Sequence, residues 1–142
     1  MTDMPPQGFA PWTRGGSAVI DPWEPIYARE DGDALGLHIR TVHFNGRGFL
    51  HGGVIATLCD VAMGCALVAR LIRQGVAVSG LLTTQLSVDY LDKAERGWLQ
   101  FDSEVIHAGR SSAVTACTVT ADARIVAHAK AGFRILADKK AD

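Results

Sequence analysis

The pattern of this 142-residue chain predicts an α+β domain, a five-stranded antiparallel sheet wrapped round one long central helix. Three observations carry that prediction. An almost unbroken apolar run over residues 54–72 follows the pair Gly52-Gly53. One segment alternating between apolar and polar residues precedes the run and four follow it. The breaks between the last four, near residues 93–96, 108–109 and 122–123, are short enough for antiparallel hairpins.

Each element has a local reason. Residues 1–33 contain Pro5, Pro6, Pro11, Pro22 and Pro25, which exclude a long helix. They read as an irregular N-terminal arm, with room for a helical turn over 23–29. Trp12 and Trp23 in this arm either pack on the body or cover a pocket. The domain proper is expected over 34–138. Residues 34–43 place Leu35, Leu37, Ile39 and Val42 against Gly36, His38 and Arg40, which is a first strand. Asn45-Gly46-Arg47-Gly48 is a turn. The helix is expected over 52–73, a rod of about 33 Å, stopped by Gln74-Gly75. Its apolar residues cover nearly every face, as in a buried helix. Strands then follow over 79–91, 97–107, 110–122 and 124–136.

Composition narrows the function. The net charge is −1 and the only basic pair is Lys139-Lys140, so nucleic acid is not an expected partner. No apolar leader is visible, and the three cysteines have no metal or disulfide spacing, which fits small core residues in a cytoplasmic protein. The five histidines also lack ligand spacing, so no metal is expected. No phosphate-binding loop, dinucleotide fingerprint or G-x-S-x-G elbow is present. A membrane span is rejected because the rest of the chain reads as amphipathic strands.

One residue breaks the helix pattern. Asp60 is the only normally charged residue of the apolar run before Arg70, and its helical neighbours Ala56, Thr57, Met63 and Gly64 offer no ion pair. Burying it costs several kcal/mol or raises its pKa. At the other end, the first N–H groups of a helix are unpaired and carry the positive end of its dipole. Gly52 has no side chain to keep a substrate carbonyl away. Together these groups suit hydrolysis of an activated acyl group: Asp60 as base or nucleophile, Gly52 N–H as the oxyanion donor. Other readings of the same residues are a loop-to-helix joint for His51-Gly52-Gly53, a turn residue for Asn45, a strand residue for Thr83, and a satisfied core or interface carboxylate for Asp60. Cys59 beside Asp60 points about 100° away and is not a nucleophile.

The element order with Asn45, His51-Gly52-Gly53 and Asp60 resembles the hotdog-fold acyl-CoA thioesterases, in particular the branch that contains the phenylacetate-pathway thioesterases. The resemblance spans about residues 34–136. It implies that Asp60 activates water or attacks the thioester, that Gly52 offers its N–H to the carbonyl, that Asn45 helps hold water or substrate, and that His51 supports the loop. Where the family often has Ser, Thr83 keeps the hydroxyl. The turn Gly109-Arg110-Ser111 is similar to the family's coenzyme A contact. No separate cofactor is implied, since coenzyme A is part of the substrate.

Assembly follows from the helix. Gly52 and Asp60 are eight residues apart, about 12 Å along the axis, too far to act on one carbonyl from one chain. A two-fold dimer solves this by setting Gly52 of one chain opposite Asp60 of the other. The resemblance implies the same composite sites in a homodimer, paired again into a homotetramer. The competing functions are a hotdog-fold enoyl-CoA hydratase or dehydratase, which would use His51 and Asp60 for proton transfer at carbon, and a non-catalytic binder of acyl or aromatic ligands.

Overall fold

The computed structural model describes residues 4–12 and 18–137. The expected domain end at Asp138 and the Lys139-Lys140 pair lie outside the described residues. In chain order the elements are β1 (Phe9–Pro11), a 3₁₀ turn at Asp21–Trp23, β2 (Tyr27–Arg29), β3 (Ala34–His38), a second 3₁₀ turn at Thr41–His43, α1 (Gly52–Arg73), β4 (Val78–Tyr90), β5 (Trp98–Ala108), β6 (Ser112–Ala121) and β7 (Arg124–Ala137). One antiparallel sheet, in the order β1-β2-β3-β5-β6-β7-β4, curves over α1.

The α+β architecture with one long helix is therefore as expected, but the described sheet has seven strands rather than five. The difference lies in the arm read as irregular. Two three-residue stretches of it run extended and add to the free edge of β3, with Tyr27 opposite Gly36 and Phe9 opposite Arg29. Too short to show alternation, they are held by tertiary contacts. Trp98 lies directly over Gly36, where a Cβ would meet its ring at 2.1 Å. Phe9 meets Trp98 edge-on, with ring centroids 5.2 Å apart. The helical turn expected over 23–29 is a 3₁₀ turn ending at Trp23, followed by strand.

The first long strand is also shorter than expected. It stops at His38, because Arg40 N–H donates to His43 Nδ1 and turns the chain. Val42, expected to face the core, is 45% exposed in that turn.

α1 ends as its sequence demands. His51 caps its N-terminus by accepting from Gly53 N–H. At the other end Gly75 takes φ +74°, with Gly75 N–H donating to Ile72 and Val76 N–H to Leu71. That pair of bonds satisfies the last carbonyls with glycine at the left-handed position. The helix is not buried all round. Val54, Ile55, Leu58, Cys59, Ala62, Met63, Ala66, Leu67 and Leu71 form a buried stripe against the sheet. The opposite stripe is half open, and Ile72 is 66% exposed. Length and composition alone would let α1 cross a membrane, yet here its apolar stripe packs on β3–β7.

Candidate functional site

Two groups of residues stand at different levels of α1. The first surrounds its N-terminus. Residues 44–50 form a small loop closed by the Phe44–Leu50 bridge. Asn45 organises it: the side-chain oxygen accepts from Arg47 N–H at 2.9 Å and Phe49 N–H at 3.1 Å. This turn geometry holds the loop against the 91–97 connection, where Leu50 N–H donates to Ala94 at 2.8 Å. The backbone of His51 donates to the His43 carbonyl at 2.8 Å, and its Nδ1 accepts from Gly53 N–H at 2.8 Å. The proton of His51 therefore sits on Nε2. His51 O accepts from Val54 and Ile55 N–H. Of the first four helical amides, the one left without a partner within the described chain is Gly52 N–H.

The second group lies two turns further on. Thr83 Oγ1 of β4 donates to Asp60 Oδ1 at 2.8 Å. Asp60 is half-buried, on the open stripe of α1 with Ala56, Thr57, Val61 and Gly64. The expectation of a deeply buried, unpaired carboxylate is corrected on both counts. The helix shows that stripe outward, and the partner comes from the sheet rather than from i±4.

The structure thus joins Asp60 with Thr83, and Asn45 with His51 and Gly52 in one loop-to-helix joint, without bringing the two groups together. Gly109, Arg110 and Ser111 form the exposed β5–β6 turn, closed by Gly109 N–H to Ser112 O at 2.8 Å. Register puts this turn at Thr83's end of the sheet, since Ser112 pairs Arg134 and Arg134 pairs Leu82.

The structure adds His43, Phe44 and Tyr90, which the sequence did not single out, to residues named beforehand. Trp23, Val42, Phe44, His51, Gly53 and Val54 line an open cleft of about 410 Å³ beside the helix N-terminus. Trp23 is fixed there by its carbonyl, which accepts from Arg40 at 3.1 Å and from His43 Nε2 at 3.3 Å. Of the two uses considered for the arm's tryptophans, Trp23 serves both. His43 is fully buried and links the arm to the loop, and burial pushes its pKa below the usual histidine value, more than its bond to Trp23 O raises it. Tyr90, at the end of β4, donates to Gly52 O at 2.7 Å. No short-range spacing could reveal that contact, because the two residues are 38 positions apart. Cys59 is inert: its hydrogen bond shared with Cys117, then burial, push the thiol pKa far up.

The family model for the thioesterase superfamily matches residues 47–127. A putative esterase of Pseudomonas aeruginosa is 30% identical over 134 residues, covering 92% of this chain and 96% of that protein. Among solved structures, a Streptococcus mutans protein bound to acetyl CoA superposes with a TM-score of 0.65 at 28% identity, over 75% of this chain and 82% of that one. A hypothetical thioesterase protein of Streptococcus pneumoniae with coenzyme A gives 0.66 at 23% identity, over 75% and 82%.

Proposed function

The chain belongs to the thioesterase superfamily, and from that premise we propose that it hydrolyses the thioester of an acyl- or aryl-CoA to the free acid and coenzyme A. The observation that carries this reading is the unpartnered Gly52 N–H at the start of α1 together with the Asp60–Thr83 pair on the same helix. Asn45, His51-Gly52-Gly53 and Asp60 support a place near the phenylacetate-pathway branch of the superfamily.

The chemistry needs a donor where negative charge develops and a base beside the attacking water. Gly52 N–H is aligned with the helix dipole and meets the thioester carbonyl, where a donor of this kind is worth about 10²–10³ in rate. Asp60, oriented by the Thr83 hydroxyl, takes a proton from water. The hydroxide adds to the carbonyl carbon and the oxyanion collapses, expelling the coenzyme A thiolate. The thiolate then receives the proton from Asp60, so the carboxylate is regenerated. Asn45 and His51 hold the donor loop in shape. No cofactor enters, because coenzyme A is part of the substrate. The acyl arm takes the cleft beside Trp23, whose walls are Val42, Phe44 and Val54, while the polar pantetheine arm leads away from it.

One chain holds the two halves at different levels of α1, so the working unit is a two-fold dimer with composite sites: Asn45, His51 and Gly52 from one protomer, Asp60 and Thr83 from the other. The turn Gly109-Arg110-Ser111 then reaches coenzyme A from the protomer that supplies Asp60, since it lies at that end of the sheet. The dimer forms through the open edge of β4, and further exposed apolar side chains at Ile106, Val114 and Ile125 suit pairing of dimers into a tetramer. The test is a panel of acyl-CoAs with a thiol-trapping reagent. Release of free coenzyme A is expected. Enoyl absorbance without thiol release would instead mark a hydratase or dehydratase, and ligand binding with no turnover a binder.

A further inference from the structure

Tyr90 takes no part in the reaction just described, yet it touches the residue at its centre. Its hydroxyl donates to the Gly52 carbonyl at 2.7 Å. Its ring lies so close that a Cβ on Gly52 would meet it at 3.3 Å. The Gly52 carbonyl and the Gly53 N–H belong to a single peptide group, and the Gly53 end donates to His51 Nδ1 at 2.8 Å. This one peptide is therefore held at both ends by side chains from different parts of the fold: Tyr90 from β4 and His51 from the cap of α1.

Such a double hold answers a specific weakness. A peptide between two glycines lacks the Cβ restriction on either side, so in this first turn its plane is held only by the helix's own i→i+4 bond and by these two side chains. Rotation would swing Gly53 N–H away from His51 and unseat the first turn of α1, and with it the Gly52 Cα that anchors the donor N–H of the preceding peptide. The oxyanion donor must be in place before charge develops, because a donor that reorganises during the reaction loses most of its value. A tyrosine hydroxyl keeps its proton through the neutral range, and partial desolvation here raises its pKa further.

We infer that Tyr90 is a positioning residue for thioester hydrolysis: with His51 it clamps the Gly52–Gly53 peptide, keeping Gly53 N–H turned to His51 and leaving Gly52 N–H as the donor that faces the substrate carbonyl. The inference rests on the hydrolase reading above, and it assigns the glycine at 52 a second reason, the room needed by the Tyr90 ring.

The test uses Tyr90→Phe, which keeps the ring and removes the hydroxyl. With the acyl-CoA that wild type hydrolyses fastest, kcat is expected to fall about tenfold while KM stays within about twofold, since only the transition-state contact is blurred. In the absence of substrate, the Gly53 amide proton, followed by NMR hydrogen exchange, should exchange faster than in wild type. His51→Asn, whose side-chain oxygen can cap as His51 does, should retain Gly53 protection that His51→Ala loses. A kcat for Tyr90→Phe within twofold of wild type, or unchanged Gly53 protection, overturns the clamp. If wild type hydrolyses no acyl-CoA, the hydrolase reading fails, and the amide exchange in Tyr90→Phe still decides whether the peptide is clamped.

Discussion

The two edges of the sheet are built on opposite principles. β1 is three residues long, carries Pro11, and is stapled down by Phe9 on Trp98. β4 is thirteen residues long, and its outer edge is unpaired among the described residues. It exposes Leu82 (53%), Leu86 (37%) and Tyr90 (53%). Short, proline-bearing edges are protected against pairing, whereas long apolar ones invite it. β4 is also the strand that supplies Thr83 to Asp60 and Tyr90 to Gly52. The contrast teaches that the edge left open is the edge that holds Thr83 and Tyr90, so in the proposed dimer assembly and chemistry would share one strand.

The largest effect should come from closing that open edge. Leu82→Asp combined with Leu86→Asp is expected to give a monomer of 15.2 kDa by light scattering. Acyl-CoA hydrolysis should drop by about 10³ or more, since both halves of each site are then separated. The matched change at the other edge, Phe9→Ala, removes an aromatic pair worth about 1 kcal/mol and should leave the assembled mass unchanged. Equal behaviour of the two variants would erase the distinction between the edges.

Next in size is Asp60→Asn. The fold should survive, because shape is retained and the residue is only half-buried, while kcat falls by about 10². Turnover near wild type would remove Asp60 from the mechanism.

The proposed sharing of sites across the β4 edge predicts a third, smaller signal. Asp60→Asn and Asn45→Ala chains, each weak alone, should regain activity when refolded together. In a mixed dimer one site carries both lesions and the other neither, and random pairing makes half the dimers mixed. About a quarter of wild-type activity should return. Mixed dimers that form without recovering activity would place each site within one chain.

The smallest effect concerns the protected side of the molecule, where His43 ties the arm to the donor loop. Its folded pKa is lowered, first by burial, from an ordinary value near 6.5. Below that value the unfolded chain binds a proton more readily than the folded one, so stability should decline as the pH falls from about 6.5 and level off below the lowered native value. Thermal unfolding should follow this slope in wild type and show a flatter one in His43→Gln. An unchanged slope would mean that His43 carries no such linkage.

The legible part of this protein was the part with period and length. The central helix, its glycine-flanked ends, the antiparallel strands and the odd carboxylate at Asp60 all stand in local patterns of the chain. The pair of short strands at Phe9–Pro11 and Tyr27–Arg29 could not be read, since three residues carry no periodicity and their hold comes from Trp98 far along the chain. Thr83 stood out only through the family resemblance; its bond to Asp60 leaves no trace in helical spacing, because the hydroxyl comes from β4, 23 positions along the chain.

By itself, then, the sequence determined which groups are available: a glycine-opened helix, a carboxylate two turns along it, and a sheet to bury one stripe of it. Hydrophobic periodicity and chain stiffness act over a few residues, and that is enough to fix such elements. Only the tertiary structure decided which groups meet. The stripe of α1 that stays open, the tyrosine that holds the Gly52 carbonyl, the buried histidine that carries Trp23 to the cleft, and the edge left bare all depend on contacts between residues about 20 or more positions apart. Their energies are set by packing in three dimensions, which no local pattern records.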